Sequence, residues 1–309
     1  MNTCPITYQP CSGKYSAEGL GRLFRGLDEL LDLPYSADEQ LREAAQRADK
    51  LSIQGVQPKL SARFVPRERT FTLVDRGGTY ILKPPTPLYP KLPENEDLTM
   101  RLASAAGIEV PFHGLVYARD DSRTYFVKRF DRAGRKLKLA VEDFAQLAGL
   151  ARDTKYDASM ERVARIMMRF CTFPAIELVK LFRLALVCYL VGNEDMHLKN
   201  FSLITRGNKV QLSPTYDMVS TTLVLRRPEE ELALPLKGKK SNLTRRDFFV
   251  YFGGERLGLT GKTIDRVAAE IQSAIVQWQR LIEVSFLSNE MKAAYLDLIT
   301  ARGKVLFPS

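Results

Sequence analysis

The chain has 309 residues, 45% hydrophobic and 27% charged, with a formal net charge of +10 at neutral pH. At this length folding buries about 75% of the unfolded surface, so a sizeable core forms without disulfides or metal. The cysteines, Cys4, Cys11, Cys171 and Cys188, include no CxxC pair of the kind that marks a zinc site. The N-terminus lacks the basic stretch and apolar run of a secretory signal. The most apolar segment, Leu184 to Val191, is far short of the roughly 20 residues a membrane span needs. The expectation is a cytoplasmic protein with no membrane contact.

In chain order, Ser36 and Glu39 form a capping box that opens a helix. Thr70 to Val74 and Thr79 to Lys83 read as a hairpin turned at Asp75-Arg-Gly-Gly78. A Pro-rich stretch, Pro84 to Pro93, leads into a helix over 94–106. A second strand pair, Gly114 to Ala118 and Thr124 to Arg129, is joined by Arg119-Asp-Asp-Ser122. After Asp131 helical periodicity dominates, at 141–151, 157–171, 174–192, 244–256, 261–284 and 289–301. One strand pair interrupts it, Phe201 to Thr205 and Lys209 to Leu212, turned at Gly207-Asn208. The predicted fold class is α+β and two-lobed, with a strand-rich lobe over 1–130 and a mainly helical lobe over 131–309. The densest basic run, Lys237 to Arg246, reads as a solvated loop or as a docking patch for an anionic partner.

The strongest chemical signal follows the apolar helix: Gly192-Asn-Glu-Asp195-Met-His197-Leu-Lys-Asn200, directly before a strand. Beyond the hairpin comes Thr215-Tyr-Asp217. Phosphoryl transfer to a hydroxyl uses a carboxylate that orients the hydroxyl and takes its proton. It also uses an amide and a second carboxylate that hold magnesium against the phosphates. Asp195, Asn200 and Asp217 supply these in the usual chain order. Alone, D-x-x-x-x-N also occurs by chance, with Asp195 capping a turn and Asp217 an ordinary loop acid. Lys83 ends an apolar strand and is placed to reach the α- and β-phosphates. Stepping back four residues from the Leu98, Leu102, Ala105 face of the next helix lands on Glu94, the expected ion-pair partner of Lys83. The alternative for Glu94 is an acid favoured at a helix N-terminus. The segment Ser52-Ile-Gln-Gly-Val-Gln-Pro-Lys59 is a candidate phosphate-covering loop, although it lacks the G-x-G-x-x-G pattern. There is no Walker lysine motif, so P-loop enzymes are excluded.

Those segments, with Lys128-Arg-Phe-Asp-Arg132, Glu142-Asp-Phe and Leu212-Ser-Pro-Thr-Tyr-Asp217, occur in the order found in HipA-type toxin kinases. The chain resembles that family from about residue 4 to beyond 290. The resemblance implies a fold distantly like protein and phosphoinositide kinases, with ATP and Mg2+ as cofactors and Asp195 as catalytic base. Lys83 would bind the phosphates, Asn200 and Asp217 would hold the metal, and His197 would lie beside the nucleotide. The backbone of Lys128, Arg129 and Phe130 would form the adenine hinge. Gln54, Gly55, Val56, Gln57 and Lys59 of the covering loop, with Lys199 and Tyr216, complete the implied nucleotide-contacting set. Ser52 matches the family's autophosphorylated serine, whose modification ejects the loop and inactivates the kinase.

Full-length HipA proteins carry a further N-terminal domain, and this chain begins almost at the kinase core. In that it is similar to HipT of the split HipB–HipS–HipT systems, where the domain is a separate protein. A second loop serine of some HipT proteins is Gln54 here, so two-site phosphorylation does not carry over. The implied partners are a HipS-like small antitoxin, a HipB-like helix-turn-helix protein that brings DNA into the complex, and a protein substrate. The substrate expected by resemblance is an aminoacyl-tRNA synthetase, the glutamyl enzyme for HipA and the tryptophanyl enzyme for HipT. Rival readings are a small-molecule phosphotransferase and a non-catalytic subunit of a DNA-binding complex.

Overall fold

The computed structural model describes residues 2–48, 57–133, 137–150, 156–225 and 230–308. It divides into two compact units. One comprises Met1–Leu98, Pro111–Phe130 and Val284–Ser288; the other comprises Thr99–Val110, Asp131–Glu283 and Asn289–Ser309.

The first unit opens with a short antiparallel pair, β1 (Asn2–Thr3) and β2 (Pro10–Cys11), followed by α1 (Ala17–Leu23) and α2 (Ala37–Ala48). The expected capping box is present: Glu39 accepts from the Ser36 N–H at 2.8 Å, and the Ser36 hydroxyl accepts from the Glu39 N–H at 3.3 Å. The strands β3 (Leu60–Val65), β4 (Thr70–Leu73) and β5 (Tyr80–Lys83) come next. Helix α3 (Leu92–Ala105) contributes its first half to this unit, and β6 (His113–Tyr117) and β7 (Arg123–Lys128) complete it. The five-stranded sheet has the order β4-β3-β5-β7-β6 and is antiparallel at each pairing.

That order overturns the expected hairpin of β4 with β5. The chain between them passes across β3 instead, with the Val74 and Thr79 N–H groups donating to the carbonyls of Ser61 and Ala62 at 2.9 Å. Gly78 permits this approach, since a Cβ there would lie 3.1 Å from the Ala62 carbonyl oxygen. Alternating side chains of the strands then form one core: Leu60 and Ala62 of β3, Phe71 of β4, Leu82 of β5, Val116 of β6 and Phe126 of β7 are all buried.

The second unit carries β8 (Arg132–Ala133), β9 (Leu137–Lys138), β10 (Val141–Asp143), α4 (Phe144–Leu147), α5 (Met160–Phe170), α6 (Pro174–Val191), β11 (Ser202–Arg206) and β12 (Lys209–Leu212). A π-helical stretch over Asp247–Arg256, then α7 (Gly261–Glu283) and α8 (Asn289–Leu306), complete it. Helicity begins later than the 141–151 periodicity predicts, because Val141–Asp143 pair with β11 and Asp143 caps α4 through its bond from the Gln146 N–H. Helix α6 starts on Pro174, where the missing N–H costs nothing, and every residue from Leu184 to Val191 is buried. Trp278 of α7, fully buried, donates from its indole N–H to the Leu102 carbonyl at 2.8 Å. The α+β expectation holds, with one strand-rich unit and one mainly helical unit. Among the described residues no helix is long and apolar enough to cross a membrane.

Candidate active site

Lys83 closes β5, between β3 and β7, with its ammonium 5.6 Å from the Tyr125 ring centroid. It forms an ion pair with Glu96, and the two side chains are 1% and 0% exposed. This corrects the expectation that Glu94 is the partner. Glu94 instead accepts from Arg123 at 3.1 Å and from Lys91 at 3.2 Å. Positions two apart on an α-helix differ by about 200°, so only one of the two carboxylates can face β5. An apolar face does not single out the carboxylate here, because Glu94, Asn95, Glu96 and Asp97 are all buried and this turn of α3 has no solvent side. Next to the pair, Asp97 Oδ1 lies 2.7 Å from His113 Nδ1 of β6.

The Lys128 N–H donates to the Phe112 carbonyl at 2.8 Å and the Arg129 N–H to that of Thr79 at 2.9 Å. A purine held by this segment would therefore use backbone groups other than these two. Gln57 and Lys59 are half-buried just before β3, while Ser52, Gln54, Gly55 and Val56 lie outside the described residues.

In the second unit, α6 ends on Gly192 in the left-handed conformation, φ 71°. A Cβ there would meet Thr222 Oγ1 at 2.5 Å and Leu298 Cδ2 at 2.8 Å, so both backbone and packing call for glycine. The loop that follows is tied to itself. Asn193 Oδ1 accepts from the Asp195 N–H at 3.0 Å, and the Asp195 carbonyl accepts from the His197 N–H at 2.8 Å and the Asn200 side-chain amide at 2.7 Å. Leu198–Asn200 form a single 3₁₀ turn.

Strands β11 and β12 bring the two motifs to one end of their hairpin. The Ser213 N–H donates to the Ser202 carbonyl at 2.9 Å. The Tyr216 hydroxyl of this half-buried side chain then latches the ends, donating to the Lys199 carbonyl at 2.9 Å and lying 2.6 Å from the Ser202 hydroxyl. Burial raises the Tyr216 phenol well above its ordinary pKa, so this latch stays protonated. Asp217, next to it, has φ 55°, a left-handed conformation that Asp tolerates better than most residues. Asp195 and Asn200 are thus joined directly, and Asp217 is tied to their loop through Tyr216.

Two acids of this loop have partners outside it. Glu194 accepts from the Thr222 hydroxyl at 2.6 Å and lies 3.7 Å from the buried Arg302 of α8. Burial holds its carboxyl above the usual carboxylate range despite those partners. Tyr156 donates from its hydroxyl to Asp195 Oδ1 at 2.5 Å, and His197 Nε2 lies 3.8 Å from the same oxygen. No sequence signal marked Tyr156, which precedes Asp195 by 39 positions.

Cations of the run Lys237 to Arg246 have partners in their own unit: Lys239 lies 3.6 Å from Asp247, Lys240 bonds Glu230 at 3.0 Å, and Arg245 stacks on Phe249 at 4.0 Å. Among the described residues no cluster of three or more His, Cys, Asp or Glu side chains is arranged to hold a metal ion.

The model of the HipA-like C-terminal domain matches residues 51–279. A Haemophilus influenzae protein described as a "putative kinase" is 30% identical, over 97% of this chain and 94% of that protein. The serine/threonine-protein kinase toxin HipA of Shewanella oneidensis is 29% identical, over 56% of this chain and 44% of that protein. The Shewanella HipA structure, solved with HipB and its operator DNA, superposes with a TM-score of 0.67 at 25% identity, over 90% of this chain and 73% of that one. The Helicobacter pylori proinflammatory kinase CtkA shares the fold, with a TM-score of 0.56 at 16% identity over 83% and 92% of the two chains.

Proposed function

Because the chain belongs to the HipA-like C-terminal domain family, we propose that it is an ATP- and Mg2+-dependent serine/threonine protein kinase of the HipT-like toxin kind. The observation that carries the reading is the Lys83–Glu96 pair. A buried ion pair gives less stability than well-packed apolar residues of the same volume. A fully buried ammonium at a strand end, paired with the Glu96 carboxylate, is what a kinase uses to bind the α- and β-phosphates. Asp195 accepts the acceptor hydroxyl's proton as that oxygen attacks the γ-phosphorus, and ADP leaves.

Asn200 and Asp217 fit magnesium. Both offer hard oxygen donors, and Asn200 commits its amide nitrogen to the Asp195 carbonyl, so its own carbonyl oxygen is the donor. Two protein ligands suit an ion that keeps waters and substrate phosphates. When bound, the metal neutralises charge on the phosphates. Ser52 is the proposed autophosphorylation site.

The proposed substrate is an aminoacyl-tRNA synthetase, with the tryptophanyl enzyme first to be tried. The proposed partners are a HipS-like antitoxin and a HipB-like DNA-binding protein. The second is supported by the Shewanella protein, which was solved with HipB and operator DNA; the first rests on sequence resemblance. Co-purification from the native operon tests both.

The reaction is tested by incubating the protein with γ-labelled ATP, Mg2+ and a host lysate, beside folded Asp195→Asn. Protein labelling falls by about 100-fold or more in the variant. Near-normal transfer by folded Asp195→Asn refutes the reading. A labelled metabolite with no labelled protein marks a small-molecule phosphotransferase instead.

A further inference from the structure

The backbone of Asp195 is pinned by Asn193 and Asn200, but neither bond touches its carboxylate. That carboxylate is half exposed, and the terminal torsion of an aspartate is broad, so left alone it would sample many orientations. An acid–base group works only when its oxygen lies within hydrogen-bond reach of the proton it takes.

Among the described residues, one side chain hydrogen-bonds this carboxylate. The Tyr156 hydroxyl donates to Oδ1 at 2.5 Å. An ionised carboxylate only accepts, so the phenol is the donor. Burial and the adjacent Asp195 hold the Tyr156 pKa far above its ordinary value, and the phenol keeps its proton. The ring is held in turn, edge-on to His197 at 5.0 Å and with the Lys240 ammonium 5.8 Å from its centroid. Lys240 is itself fixed by both oxygens of Glu230 at 3.0 and 3.1 Å. Tyr156 is 39% exposed, so core packing alone does not account for its placement.

We infer that Tyr156 is a positioning residue for phosphoryl transfer: by holding Oδ1 it fixes the Asp195 carboxylate so that Oδ2 is the oxygen presented to the acceptor hydroxyl. The inference rests on the reading of Asp195 as the base. It assigns to the basic segment around Lys240 a share in the same arrangement, through the face of Tyr156.

The test is single-turnover transfer of label from γ-labelled ATP with Mg2+ to the protein itself, as a function of ATP concentration. Wild type, Tyr156→Phe, Asp195→Asn and the double variant are compared, with thermal unfolding of each. Phenylalanine keeps the ring and removes only the donor. A hydrogen bond to a charged group of this kind corresponds to about 10- to 100-fold in rate. The maximal rate of Tyr156→Phe falls by that factor while its half-saturating ATP concentration and melting temperature stay at the wild-type values. Adding Tyr156→Phe to Asp195→Asn produces no further loss. An unchanged rate in Tyr156→Phe overturns the inference. A faster rate also overturns it, because Tyr156 then blocks the acceptor position. A raised half-saturating concentration at unchanged maximal rate assigns Tyr156 to ATP binding instead and overturns it as well. Absence of transfer in wild type, or its survival in folded Asp195→Asn, removes the kinase reading itself.

Discussion

Truncating Glu96 to alanine removes the carboxylate paired with an ammonium that is 1% exposed. Breaking a buried pair by removing one partner costs about 3–5 kcal/mol, because the remaining charge keeps its desolvation penalty and loses that partner's attraction. Glu94→Ala is the control. Its partners Arg123 and Lys91 are 24% and 42% exposed and can turn to water, so about 1 kcal/mol is expected. Replacing both charges, Lys83→Met with Glu96→Leu, removes the penalty and fills the volume. The double variant therefore recovers most of the stability lost by Glu96→Ala while losing phosphate transfer altogether. Urea unfolding midpoints, compared at equal slope, measure the first effect, and labelled ATP measures the second. Equal costs for Glu96→Ala and Glu94→Ala would refute the assignment of the pair. So would a double variant no more stable than Glu96→Ala, or one that still transfers phosphate.

Asp217→Asn removes a proposed magnesium ligand and lowers transfer by about 100-fold or more; a folded variant with normal magnesium dependence contradicts the assignment. At the proposed autophosphorylation site, Ser52, a phosphate adds about −1.5 to −2 charge, which favours an open loop if that segment covers the ATP phosphates. Mass spectrometry of the wild-type protein purified from cells that express it finds phosphate on Ser52, and finds none in Asp195→Asn; phosphate elsewhere with Ser52 unmodified counts against it. At Asp247, burial pushes the carboxyl up, but bonds from the Thr244 N–H and hydroxyl, with the charges of Lys239 and Lys237, hold it net below its ordinary 3.8. A depressed carboxyl stabilises the fold above its unfolded value and loses that contribution as pH falls through the folded value. The stability gap between wild type and Asp247→Asn therefore narrows from pH 7 to pH 3, and a gap that stays constant refutes the account.

Elements whose determinants are local were legible. The Ser36–Glu39 box, the Pro174 start and Gly192 stop of α6, and the β11–β12 hairpin need only neighbours in the chain. Misreadings arose where a distant partner decides. Thr70–Leu73 and Tyr80–Lys83 flank a turn, yet each pairs with β3, which satisfies the same backbone groups through residues 60–65. Val141–Asp143 continue a helical period but find β11 some 60 positions away, so pairing overrides the local pattern.

The candidate site divides along the same line. Spacing places Asp195 and Asn200 on one loop, and the amide of Asn200 does bond the Asp195 carbonyl. Nothing in spacing says which carboxylate of α3 meets Lys83. Faces of a helix are assigned by contrast between apolar and polar sides, and a helix buried all round offers none. Glu96 is therefore found by its contact and not by its pattern. The same holds for Tyr156, which reaches Asp195 from the segment before α5. A motif names the groups that meet a substrate because their order along one loop is itself the geometry. The groups that hold those side chains still come from other elements, and only packing brings them there. The Tyr156 hydroxyl at Oδ1 and the Glu96 carboxylate at Lys83 are both contacts of that second kind.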